Sequence, residues 1–95
     1  MTDPITATQT PVYSTFPVLS TDNPKVEPTQ LVGRKGVAFR NAGPSDVQEC
    51  NADGSPGFTL EPGDVDAQVI DYSVGVPFYF TTTAATATIE RKEWL

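Results

Sequence analysis

Histidine is absent from this sequence, which removes the commonest general base, the usual zinc ligand and the Ser–His and Cys–His nucleophile pairings together. Cysteine occurs once, as Cys50, so no disulfide and no thiolate metal cluster can form within one chain. With no activating neighbour in the sequence, Cys50 reads as a small, half-buried strand residue rather than a reactive thiol. Positive charge is also scarce. Six Lys and Arg stand against twelve Asp and Glu, a formal charge of −6. No phosphate-binding face can be assembled from Lys25, Arg34, Lys35, Arg40, Arg91 and Lys92, which argues against a nucleic-acid partner. Arg34, Lys35 and Arg40 are either a small basic spot or solvated strand ends. No run approaches the roughly 20 apolar residues of a membrane helix. The N-terminus shows neither the basic start nor the apolar block of a signal peptide. The expectation is a protein that stays in a reducing cytosol, off the membrane, until it is assembled.

What the chain does have is proline in its first third. Pro4, Pro11, Pro17, Pro24 and Pro28 interrupt a Thr/Ser-rich stretch, and each lacks a backbone N–H, so no helix can run there. The stretch "ITATQTPVYSTFPVLSTDNP" (residues 5–24) nevertheless carries Ile5, Val12, Tyr13, Phe16, Val18 and Leu19, too many apolar side chains for a solvated tail. The composition changes at Gln30. This predicts an extended arm over residues 1–30 and a folded domain over 31–95. The arm is read as docking Tyr13, Phe16, Val18 and Leu19 on another chain, in a groove or as an added strand, instead of on its own sheet.

Beyond residue 30, short alternating runs separated by turn chemistry predict an all-β domain of about six strands and no helix longer than a turn. Val37 and Phe39 alternate with Ala38 and Arg40. Val47–Cys50 is a short strand between "NAGPSD" and "NADGSPG". Phe58 and Leu60 make another, closed by "EPGD", where Pro62 and Gly63 suit the second and third places of a type II turn. Val65, Ala67 and Val69 then alternate with Asp66 and Gln68. After a turn at 73–75, Val76, Phe78 and Phe80 alternate with Pro77 and Tyr79, and Ala85, Ala87 and Ile89 lead into "RKEWL". The expected core is Val32, Val37, Phe39, Val47, Phe58, Leu60, Val65, Val69, Val76, Phe78, Phe80 and Ile89. So small a core is marginal alone and favours oligomerisation or docking.

The acidic turns raise the question of calcium, because Asn51, Asp53 and Ser55 alternate, and Glu61, Asp64 and Asp66 cluster. An EF-hand loop needs more alternating ligands and a terminal glutamate, so these read as polar hairpin tips. The same acids are too solvated for a paired-carboxylate mechanism. Gly33 and Gly36 lack the strand and helix of a nucleotide fingerprint. No cofactor and no catalytic residue is expected. Tyr79, between inward phenylalanines, is expected to face outward, and Trp94 is either a lid on the sheet or an anchor for a partner.

Taken together, "GRKGVAFRNAGPSDVQEC", "GFTLEPGD" and "VPFYFTTTAATATIE" resemble a type of small β-sandwich found among tailed-bacteriophage virion proteins. The shared outline is a basic residue leading a strand that ends in Asn-x-Gly, then a Gly-x-x-Leu-x-Pro-Gly hairpin, then an aromatic strand leading to Ala-x-Ala-x-Φ-x-Glu. The resemblance implies a small antiparallel β-sandwich or jelly-roll-like domain and a non-enzymatic structural role in the virion. That role is to decorate or cement the capsid on a major capsid protein or another virion protein, as a homo-oligomer. A connector or tail position is the alternative within this class. The rival from another class is a small carbohydrate- or calcium-dependent binding module built on Tyr79, Trp94 and the acidic turns.

Overall fold

The computed structural model describes residues 11–69 and 77–94, apart from the side chains of Pro56, Gln68 and Val69. The described residues form eight strands and no helix. These are β1 (Val12–Leu19), β2 (Lys25–Val26), β3 (Gly36–Gly43), β4 (Val47–Cys50), β5 (Pro56–Leu60), β6 (Val65–Val69), β7 (Tyr79–Thr81) and β8 (Thr86–Trp94). They lie in two four-stranded sheets, ordered β1-β8-β3-β6 and β2-β7-β4-β5. Every pairing is antiparallel. Successive strands alternate between the sheets except at β4–β5, which gives the wiring of an eight-stranded jelly roll.

The core lies between the sheets. Phe16 and Val18 of β1, Val37 and Phe39 of β3, and Ala87 and Ile89 of β8 meet Val47, Leu60 and Phe80 from the second sheet. Phe39 sits edge-on to Phe80 with ring centroids 5.0 Å apart, and Phe16 and Phe78 pack as tilted pairs against Phe80 and Phe39. The period of two puts one set of side chains inward along each strand.

The proline-rich segment is therefore not a separate arm from residue 12 onward. Val12–Leu19 pairs along its whole length with β8, and Lys25–Val26 pairs with β7. Phe16 and Val18, expected to bury against another chain, are 4% and 0% exposed in the chain's own core. The prolines permit this because β1 is an edge strand. Ser20 N–H bonds Ala85 O, so the even-numbered residues of β1 point their N–H groups at β8. Pro17 is in the odd-numbered set, whose N–H positions face away from the sheet, and its missing donor costs no ladder bond.

Three expected core residues are exposed: Val32 at 88%, Val65 at 57% and Phe58 at 47%. Val32 rides on the β2–β3 connection. Val65 pairs with Arg40 and Ala67 with Ala38, so the register turns the apolar face of β6 outward and Asp66, opposite Phe39, inward. Phe58 faces inward opposite Glu49 but lies on β5, the open edge of its sheet. Val76, the turn at 73–75 and Ile5 lie outside the described residues, as does the side chain of Val69.

The register of β6 is held from the Asn41–Gly43 irregularity in β3. Buried Asn41 donates through Nδ2 to Ser45 O (2.8 Å) and Leu60 O (2.7 Å), and its Oδ1 accepts Gly43 N–H (2.7 Å). Its backbone accepts Gly63 N–H and donates to Asp64 O. Gly63 has φ 95°, as a type II turn requires, and Asp64 N–H closes that turn on Glu61 O at 2.9 Å.

Candidate functional site

The outer face of the first sheet is built from the residues of β1, β8, β3 and β6 that point away from the core. One cross-strand row reads Tyr13, Lys92, Ala38, Ala67, and the next Thr15, Glu90, Arg40, Val65. The Lys92 ammonium lies 5.9 Å from the Tyr13 ring centroid and 5.7 Å from that of Trp94, so the two aromatics bracket one cation. Trp94 lies across Gly36, where a Cβ would come within 2.5 Å of the indole. The glycine is what lets the ring lie down on the strand, and the ring covers backbone that would otherwise be bare. Arg40 and Glu90 pair at 2.6 Å beside it, both about half exposed. Tyr13 is 70% exposed. Above small Ala38, a shallow groove of about 300 Å³ runs between Tyr13, Lys92, Arg40, Glu90 and Val65.

Of the residues singled out from the sequence, Tyr13 and Trp94 thus come together on one face. Leu19, 41% exposed, shares that face at its far end. Tyr79 is half-buried on the opposite surface, in a row with Val26 and Cys50 on the second sheet. Phe16 and Val18 are internal. The sequence reading missed Lys92, Ala38, Arg40 and Val65 as neighbours, because they are joined by pairing between distant strands. The phase of Glu90, Lys92 and Trp94 against inward Ala87 and Ile89 was the available signal.

A second charged group is structural. Arg34, expected at a solvated strand end, is completely buried. Its guanidinium holds Glu27 through two bonds of 2.7 and 3.0 Å and Glu93 through one of 3.0 Å. Arg91 donates to the same Glu27 at 2.9 Å, to the carbonyls of Pro28 and Thr29 and through Nε to Ser14 Oγ, and that Nε forms an ion pair with Glu93 at 3.1 Å. Glu93 also accepts Leu31 N–H, and Glu27 accepts Phe78 N–H. Two cations and two anions cancel, and Glu27 accepts the Gln30 side-chain amide as well, so the carboxylates are held by hydrogen bonds besides their ion pairs. The network straps the 27–35 connection over one end of the sandwich. Arg91 and Glu93 continue the inward phase of Ala87 and Ile89, so charge in the apolar phase marked them.

Between the sheets, one strand beyond the Phe39–Phe80 contact, Asp66 of β6 faces Glu49 of β4. Burial, then the hydrogen bond and charge of Asp66, and then the charge of Glu27 push the Glu49 carboxyl from 4.5 up to about 8. Glu49 therefore carries a proton at neutral pH. Burial also pushes the Cys50 thiol up, leaving it a poor nucleophile.

The turn acids are occupied locally. Asp53 accepts from Ser55 N–H and Oγ–H at 2.9 and 2.6 Å, and Asp64 accepts Glu61 N–H. Among the described residues, no group of three or more Asp, Glu, His or Cys is placed to hold a metal ion. Comparison with protein-family models, curated sequences and solved structures finds no match to this chain.

Proposed function

We propose that this chain is a non-enzymatic structural protein of a virion. It decorates or cements the capsid by docking the outer face of its first sheet on a major capsid protein or another virion protein. The observation that carries this reading is the exposed row in which Tyr13 and Trp94 bracket Lys92 beside Arg40 and Val65. Tyr and Trp are enriched in protein-binding hot spots, and exposed Lys92 between the two rings adds a charge for an acidic partner group. The jelly-roll wiring supports it only by analogy of fold, since that architecture serves viral capsid proteins and unrelated binding domains alike.

The test is recovery of the chain in particles purified from the organism that encodes it, followed by binding of purified protein to particles lacking it. Tyr13→Ala and Lys92→Glu are each expected to weaken binding at least tenfold, while Thr59→Ala on the second sheet leaves it unchanged. Absence from the particles ends the proposal. The groove above Ala38 favours one second reading, a module that binds a small polar ligand such as a sugar. Saturable shifts of the Tyr13 and Lys92 resonances on titration with oligosaccharides would select it.

A further inference from the structure

We infer that β1 pairs with β1 of a second copy across a two-fold axis at Ser14, joining two first sheets into one eight-stranded sheet. The inference rests on which backbone groups of this edge strand are free. The even-numbered residues of β1 bond to β8, so N–H and C=O of the odd-numbered residues point outward. At one end of that outward set, Leu19 is closed off. Its N–H donates to Asp22 Oδ2 and its C=O accepts Asp22 N–H, both at 2.9 Å. Pro17 has no N–H to offer, and neither has Pro11. Among the described residues no strand covers this edge. The open donors are Tyr13 and Thr15.

The sequence "PVYSTFP" from Pro11 to Pro17 is matched about Ser14. In an antiparallel pairing centred there, Tyr13 of one copy meets Thr15 of the other, twice over. Each is a pair in which both N–H···O bonds are exchanged. The next outward pair is Pro11 with Pro17, where neither residue has a donor to strand. Prolines thus bracket the available bonds at both ends and disfavour any other register. On the inner face, Val12, 45% exposed in the single chain, meets Phe16 of the second copy, and Ser14 meets Ser14. The pairing is isologous and closes as a dimer. It does not depend on the virion reading, though it would place two Tyr13–Lys92–Trp94 rows on one continuous face.

The experiment is sedimentation equilibrium of the full chain over a wide concentration range, with two variants. The wild type is expected to rise from 10.2 kDa to twice that mass. Thr15→Pro removes an outward donor by the device already present at Pro17, so it should keep the wild-type melting temperature and stay monomeric. Ser14→Cys, with Cys50→Ser removing the native thiol, should oxidise to a covalent dimer. Directly opposed residues in a non-hydrogen-bonded pair lie about 4.5 Å apart at Cα, within disulfide reach. A wild type that stays monomeric throughout overturns the inference, as does a folded Thr15→Pro that still dimerises. If Thr15→Pro unfolds, failure of the Ser14→Cys cross-link in concentrated protein overturns it instead. A dimer that does not bind particles would sink the virion reading and leave the pairing standing.

Discussion

Glu49 and Asp66 reach each other from opposite sheets, their side chains in hydrogen-bond contact, and the raised Glu49 carboxyl carries the proton. Because the folded state raises the Glu49 carboxyl to about 8 from 4.5, it binds the proton more tightly than the unfolded chain does. The stability this contributes is fully present below about pH 4.5 and is lost as pH rises toward 8. Melting temperature measured between pH 5 and 9 should therefore fall with rising pH. Glu49→Gln, which keeps a donor for Asp66 without a titrating proton, should flatten that fall. An unchanged slope in the variant would place the proton elsewhere.

The strap over the end of the sandwich depends on a balanced set of charges. Glu27→Ala leaves the two buried cations Arg34 and Arg91 against the single charge of Glu93 and should destabilise the fold by about 3–5 kcal/mol, the usual effect of breaking a buried pair. Arg40→Ala, which removes the exposed pair with Glu90, should change it by less than about 1 kcal/mol. Urea unfolding of the two variants side by side separates these cases.

Phe16 is a core residue carried on the proline-rich edge strand. Phe16→Ala should cost about 3–5 kcal/mol. Deletion of residues 1–29, which strips β1, β2 and Glu27, should give a chain without cooperative thermal unfolding. A truncated protein with a sharp transition would mean that the sandwich does not need its first strand.

Asn41 ties two turns through its side chain, and Asn41→Ala leaves Leu60 O, Ser45 O and Gly43 N without that partner. A loss of about 3 kcal/mol is expected, at the upper end for unsatisfied buried polar groups. The amide of Gly63, whose N–H donates to Asn41 O, should lose exchange protection first.

Much of the architecture was readable because local chemistry and tertiary structure agree. Val47–Cys50, the Pro62–Gly63 turn and the inward phase of Val37 and Phe39 are set by alternation and turn stereochemistry. The β-sandwich class follows from them. The proline-rich segment was misread because proline forbids a helix everywhere but a strand only where its N–H is needed, and an outward edge position does not need it. The facing of β6 was misread because Val65 and Ala67 alternate with Asp66 as an inward apolar set would. Asn41 and the 61–64 turn fix the opposite register. On the outer face of the first sheet, Tyr13 was singled out as an arm residue and Trp94 as a lid or anchor, but their meeting at Lys92 needed the β1–β8 pairing.

From Val12 the N-terminal segment is a strand of the chain's own sandwich, and among the described residues no strand covers its outer edge. Amide hydrogen exchange across Val12–Leu19, resolved residue by residue in dilute protein, tests this most directly. Ser14, Phe16 and Val18 should be strongly protected while Tyr13 and Thr15 exchange rapidly, and Tyr13 and Thr15 should become protected as concentration rises. Rapid exchange throughout Val12–Leu19 would return the segment to an arm outside the fold and contradict the account.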